Sequence, residues 1–309
     1  MRATRFLLGL GIAALVPGNP AIAVDCTLKS GVTAAQGREG LCGFSAANRS
    51  FRGTPAQQAE CLTRAVGRGA AIGAPTLTPF LRERVGQPTN VTRARLAAYL
   101  AELHVDPGRL GGPLADPVSA RYFIIHDTST PNCSAADFST QLCPARGIMP
   151  PNRDTAEWAA IAKFFGHPKP FPNRLAHAFT NRVGDSITEV PFDAHISTTK
   201  FEGCSDSAAK QRLFIGIENI QPRIGAPAVP APGKKANDLV APVPGFTTAQ
   251  YRRLALLYVT ASVREGRWLI PAFHAVLDSR YADGHDDPQN FDVPAFSDAV
   301  RAHLDKLAS

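Results

Sequence analysis

The sequence lacks any apolar run long enough to cross a bilayer. The run from Phe6 to Val16 holds about a dozen residues where a spanning helix takes roughly 20, and no later segment improves on it, which excludes a transmembrane segment. There is no lipobox either: Val24 and Asp25 precede Cys26 where an acylated cysteine wants small and apolar neighbours, so a lipid anchor is not expected. No internal repeat recurs, and low complexity is confined to a stretch rich in Pro, Ala and Lys between Pro222 and Gly245. Aromatic residues make up only 8% of the chain, and the lysines and arginines are scattered without being interleaved with them. A dedicated nucleic-acid face is therefore not expected.

What is present is a globular composition with a basic balance, a net charge of +7 and a pI near 9.3. Such a charge draws a protein toward anionic polymers. Arg2 and Arg5, the apolar run, and the small residues Ala21 and Ala23 together read as a secretory leader over residues 1–23. The polymers in reach of an exported protein are cell wall or lipopolysaccharide, in a periplasmic or secreted location. All six cysteines, Cys26, Cys42, Cys61, Cys133, Cys143 and Cys204, follow the expected cut. An even number in an oxidising compartment points to disulfide staples before thiol chemistry. Cys133 with Cys143 closes a short loop and is the preferred pair, although the sequence does not choose among the connectivities.

The segment 24–117 reads as short helices separated by Gly and Pro, a small helical module with strand-like runs nearly absent. Its clearest helix follows Thr92, where Leu96, Tyr99, Leu100 and Leu103 recur at helical spacing until Pro107-Gly108. Gly111-Gly112-Pro113 then makes a reasonable joint. Beyond it the pattern changes. Arg121 to Ile125 is a β-branched and aromatic run ending at His126, a buried strand with a polar tip. Leu175 to Thr180 and Ser186 to Val190 read as a hairpin turning through Gly184, and Leu213 to Ile220 as a strand that carries Glu218. Thr247 and Gln250 have capping-box spacing ahead of a helix whose buried face is Tyr251, Leu254, Ala255, Tyr258 and Ala261. Trp268 to Phe273 delivers His274, and a last helix runs from about Pro294 to Leu304. Strands mixed with packed helices imply an α/β domain over residues 118–309, with a mixed central sheet.

Three polar groups stand where strands end or in a loop that follows one: His126, His274 and Asp287. Two histidines and a carboxylate form a common hydrolytic zinc shell, with a fourth position left for water. Glu218 lies in an apolar strand, where a buried carboxylate needs compensation. A metal-bound water nearby supplies that, and so does an arginine partner or a solvated edge.

The order of these pieces carries a resemblance. A strand ending in I-I-H-D-T, a hairpin with A-H-A-F-T-N-R-V-G, a strand I-G-I-E, a helix opening F-T-T-A-Q-Y, and a His followed by an Asp-Pro are similar to the N-acetylmuramoyl-L-alanine amidases related to peptidoglycan-recognition proteins. The match spans roughly residues 121–304. The resemblance implies one zinc per chain on His126, His274 and Asp287, and an acidic catalytic role for Glu218. It also implies a groove for glycan and peptide lined by His177 and His195. The substrate class implied is peptidoglycan or muropeptides, cut at the amide between muramic acid and L-alanine. Relatives without a complete metal shell bind the polymer without cutting it, and a zinc peptidase acting within the stem peptide shares the same residues. Two departures matter. His285 stands where such amidases often place an oxyanion-stabilising Lys, and Gln289 where a Gly often follows the Asp-Pro. His285 is accordingly a candidate for the oxyanion role and an alternative zinc ligand to Asp287, and Arg280 is a second candidate for the missing positive charge.

Overall fold

A computed structural model describes residues 25–67, 71–129, 133, 176–204, 206–222, 241, 245–282 and 284–308. The leader over 1–23, the Cys143 half of the expected Cys133–Cys143 pair, and most of the stretch between Pro222 and Gly245 lie outside these residues.

In the N-terminal segment four helices open on a threonine. These are α1 (Ala34–Glu39), α2 (Pro55–Leu62), α3 (Pro79–Arg84) and α4 (Arg93–Glu102), with Thr33, Thr54, Thr78 and Thr92 as N-caps. Each threonine hydroxyl accepts the backbone N–H three residues on, satisfying a donor that the first turn leaves without an intrahelical partner. Between the helices lie two antiparallel pairs, β1 (Phe44–Ser45) with β2 (Ser50–Phe51), and β3 (Arg64–Gly67) with β4 (Ala71–Pro75). The expectation of an almost strand-free helical module is corrected here. Strands this short, containing Gly and Pro, leave no alternating pattern to read.

Nor does this segment keep a core of its own. One cluster of buried side chains runs from Phe44, Phe51, Leu62, Leu81 and Leu96 into Tyr122, Phe123, Phe214 and Tyr258 of the sheet region. Phe51 sits edge-on to Tyr122 at 5.2 Å and stacks on Phe201 at 5.5 Å, while its N–H donates to the Tyr122 hydroxyl at 3.0 Å. Gly111 and Gly112 form a buried corner. Gly111 has φ 90°, its carbonyl accepts from Arg264 at 2.7 Å, and a Cβ there would lie 2.3 Å from the Phe192 ring.

Covalent bonds tie the parts together as well. Cys42 joins Cys61 within the N-terminal segment, and Cys26 joins Cys204 across 178 positions of sequence. A crosslink that closes so long a loop removes much freedom from the unfolded chain. Replacing both Cys26 and Cys204 by Ala is expected to cost about 2–5 kcal/mol, read from the midpoint of denaturant unfolding. An unchanged midpoint would show that this bridge adds nothing to stability.

The larger part of the chain forms β5 (Tyr122–Asp127), β6 (Ala178–Thr180), β7 (Ser186–Thr188), α5 (Lys200–Gly203), α6 (Ser207–Lys210), β8 (Phe214–Asn219), α7 (Thr248–Glu265), β9 (Ile270–Phe273), α8 (His274–Leu277) and α9 (Val293–Ala308). Its five strands lie in the order β7-β6-β8-β5-β9. β5 runs parallel to β8 and β9, β6 parallel to β8, and only β7 is antiparallel, so the sheet is mixed and the fold is α/β. The near-continuous apolar sequence of β5 and β8 suits strands covered on both faces. Helix α7 carries the expected capping box at Thr247 and ends at Gly266, whose φ is 85°. From Leu254 to Arg264 every one of its residues is buried, a wider face than the periodicity indicated, because α9 and α4 pack on it as well as the sheet. Among the described residues no helix is long and apolar enough to cross a membrane.

Candidate metal centre

The parallel register fixes where the polar residues meet. His126 pairs with Glu218 across β5 and β8, and Ile125 pairs with Phe273 across β5 and β9, so His274 follows immediately beside His126. All three strands run the same way, which gathers these side chains at their carboxyl ends, the edge where open parallel sheets bind ligands. Asp287 arrives from the loop after α8. Its carbonyl accepts the Ala275 N–H at 2.8 Å, and its Oδ2 accepts the Asp127 N–H at 3.2 Å. Asp127 in turn accepts the Gln289 N–H at 3.2 Å, which ties the loop to the end of β5.

The sequence-expected ligands thus converge. His126, His274 and Asp287 are all buried, and one ligand atom from each lies within 4.8 Å of the others. The two Nδ1 atoms are 3.0 Å apart, Nδ1 of His274 is 2.9 Å from Asp287 Oδ1, and Nδ1 of His126 is 3.6 Å from Asp287 Oδ2. The far sides of the rings explain why these nitrogens can act as ligands. Nε2 of His274 lies 2.8 Å from Asp278 Oδ2, and Asp278 already accepts the N–H groups of Lys200 and Phe201 at 3.0 and 2.9 Å. A carboxylate held in this way accepts a hydrogen bond from the ring Nε2–H, which leaves the lone pair of the neutral ring on Nδ1. Nε2 of His126 lies 3.3 Å from the Thr198 hydroxyl, which donates to Glu202 Oε2 at 2.9 Å and so has a lone pair to offer the ring. Two imidazole lone pairs and a carboxylate then aim at one volume, a repulsive arrangement that a proton or a cation relieves. The group can hold a metal ion.

The electrostatics agree. Burial depresses His274, but Asp287 and Asp278 overcome this and hold its pKa well above the ordinary value. Burial followed by the neighbouring His274 drives His126 down to about 3. Burial pushes Asp287 up, and His274 outweighs it, so this carboxyl stays ionised below its usual range. Positive charge is thus favoured at the centre, which carries a fixed anion.

Glu218 stands next to this group. Its Oε1 is 3.9 Å from His126 Nδ1, and its buried Oε2 has no hydrogen-bond partner among the described residues. Burial, reinforced by Asp287, raises its pKa well above the ordinary carboxylate value against the opposing pull of His274. A raised pKa makes a better proton acceptor. His285 completes the group on the solvent side: its ring stacks on His274 at 4.9 Å, its Nδ1 is 3.7 Å from Asp287 Oδ1, and it is 36% exposed. The three-residue group contains Asp287 and leaves His285 beside it.

The other expected residues stand outside the three-residue group. His177 is fully buried; its Nδ1 accepts the Gly216 N–H at 3.1 Å and its Nε2 faces the Ala194 carbonyl at 3.4 Å. Burial holds its pKa down to about 4. Its ring joins the start of β6 to β8. His195 is half-buried and accepts the Arg212 N–H at 3.3 Å, with no hydrogen bond or ion pair to the metal group among the described residues. The Arg280 carbonyl accepts the Lys29 N–H at 2.9 Å, and among the described residues its buried Nε has no hydrogen-bond partner. Asp278, Thr198 and Glu202 are the residues that sequence reasoning missed. Only Asp278 left a signal, since it follows His274 by four positions, one helical turn. Asp278→Asn is expected to weaken metal binding by about 10–100-fold, because the amide can no longer accept the ring N–H as a charged partner. Titration with a metal-competing dye measures this, and unchanged affinity would remove Asp278 from the centre.

Among known proteins, no family model, no curated protein and no solved structure matches the chain.

Proposed function

We propose that the chain is an exported zinc hydrolase that cleaves the amide between N-acetylmuramic acid and L-alanine in peptidoglycan. The observation that carries this reading is the meeting of His126, His274 and Asp287 beside a carboxylate, Glu218, that has an unpartnered buried oxygen. Two imidazoles and one carboxylate are a donor set suited to zinc at hydrolytic sites. The choice of substrate rests on the order of sequence motifs that resembles the muramoyl-alanine amidases, and the basic charge and the disulfides suit an exported protein acting on an anionic wall.

His126, His274 and Asp287 would hold the zinc, which when bound would supply a positive charge able to polarise a carbonyl and to make a water molecule more acidic. Glu218 takes the proton of that water as it attacks, and returns it to the departing amine of L-alanine. His285, on the exposed rim, donates an N–H toward the oxygen on which negative charge develops. Asp278 and Thr198 hold the two ligand rings, and Asp127 holds the loop that brings Asp287.

Digestion of purified sacculi with the zinc-loaded protein, followed by mass spectrometry, tests the reading. The expected products are glycan strands free of peptide and intact stem peptides with a new L-alanine amino terminus. Fragments cut within the stem would make the protein a peptidase, and sacculi bound without release would make it a binding protein; either result ends the amidase assignment.

A further inference from the structure

At the opposite, amino edge of the same sheet lies a second concavity, a cavity of about 600 Å³ between the N-terminal segment and the starts of β5, β8 and β9. Along β5 the step from Arg121 to His126 is roughly 16 Å at the usual strand rise, so this space is separate from the metal centre. Its floor includes the buried side chains of Gln58 and Trp268, and its walls carry Arg49, Arg121 and Arg267 with one carboxylate, Glu265.

The charges do not cancel. The Arg121 guanidinium donates to the Arg49 carbonyl at 3.4 Å and lies within hydrogen-bonding reach of the Tyr122 hydroxyl, and the Arg267 guanidinium donates to the Gly86 carbonyl at 2.7 Å. Arg49 binds the carbonyls of Ala209 and Gln211 at 3.0 and 2.7 Å. Among the described residues none of the three is ion-paired. Since a guanidinium has five N–H donors, most of the donors on Arg121 and Arg267 remain to be used. Glu265 lies close enough to feel Arg267 and Arg121, yet its Oε2 is buried without a hydrogen-bond partner. The cavity therefore offers an excess of positive charge on three exposed arginines that hold no ion pair among the described residues.

We propose that this cavity binds a phosphate ester. A tetrahedral phosphate presents oxygens in several directions at once and so serves guanidinium groups arriving from three different parts of the chain, which a planar monocarboxylate does not. Because Arg49 and Gln58 come from the N-terminal segment and Arg121 and Arg267 from the sheet region, the ligand also bridges the two. This site stands independently of the hydrolytic reading of the other edge.

Trp268 supplies the readout, because the chain's other tryptophan, Trp158, can be removed as Trp158→Phe. Titration of the full-length exported protein with glycerol 3-phosphate is expected to change Trp268 fluorescence in a saturable way. Vesicles of phosphatidylcholine with or without phosphatidylglycerol form the second arm. A response to glycerol 3-phosphate alone assigns a soluble ligand, and co-sedimentation with phosphatidylglycerol vesicles assigns a lipid headgroup; both support the site. Arg121→Gln is expected to weaken binding about tenfold, the worth of a hydrogen bond to a charged group, and Arg121→Gln with Arg267→Gln to abolish it. Should the double variant fail to fold, Arg121→Lys, which keeps the charge and loses the fork, is expected to weaken binding measurably. A response that does not saturate, that glycerol with sodium acetate at equal ionic strength reproduces, or that survives these substitutions overturns the proposal.

Discussion

Glu218→Gln is expected to abolish hydrolysis while leaving the metal in place. Gln has nearly the shape of Glu and keeps an acceptor oxygen, but it cannot take a proton at neutral pH. A positioned acid or base contributes about 10²–10⁴-fold to rate, and in the proposed mechanism the same carboxylate serves both the attack and the departure of the amine, so the upper part of that range is expected. Metal content should stay at one ion per chain, because Glu218 lies outside the three-residue group and its nearer oxygen is 3.9 Å from His126 Nδ1. Stability should hold or rise, since the substitution replaces a buried carboxyl that has one unpartnered oxygen by a neutral amide. Turnover on sacculi and metal analysis of the same sample together decide the matter. Full turnover in the variant would take Glu218 out of the mechanism, and loss of metal would make it a ligand.

His126→Ala has the second large effect, and it reads out without any substrate. The substitution removes one of three donors and leaves His274 and Asp287 as a two-point site, which does not retain zinc against a chelator. A ligand that binds only the native state stabilises it by mass action, so at a metal concentration about 1,000 times Kd the wild-type protein gains about 4 kcal/mol. Its thermal midpoint is therefore expected to climb when zinc is added, and that of the variant to stay where it is. A variant whose midpoint still climbs, with zinc content unchanged, would falsify the ligand assignment whatever its activity. His285→Ala sets a useful contrast, because its ring lies beside the three-residue group, and that variant should keep the zinc-dependent climb.

Much of this was legible in the sequence. The strand tipped by His126, the strand around Glu218, the capping box at Thr247 and the delivery of His274 are local patterns, and local patterns follow from backbone geometry and the burial of apolar faces. The four threonine caps of the N-terminal segment belong to the same class, though only the one at Thr92 stood next to a recognisable periodic helix. The strand pairs from Phe44 to Pro75 were not legible, because residues such as Gly67, Gly73 and Pro75 break any alternation, and their pairing depends on neighbours. The orientation of His177 was not legible either: the packing of β6 on β8 turns its ring onto the Gly216 N–H.

The sequence by itself determined the residue types and the edge on which they act: two histidines and an acid at or beyond strand ends, with a carboxylate inside a buried strand. Only the tertiary structure decided that His126 and His274, 148 positions apart, face each other at 3.0 Å, and that Asp278 and Thr198 turn their lone pairs inward. The reason is physical. Periodicity reports what each segment buries, while the distance between two segments depends on strand register and on hydrogen bonds from residues that carry no pattern of their own.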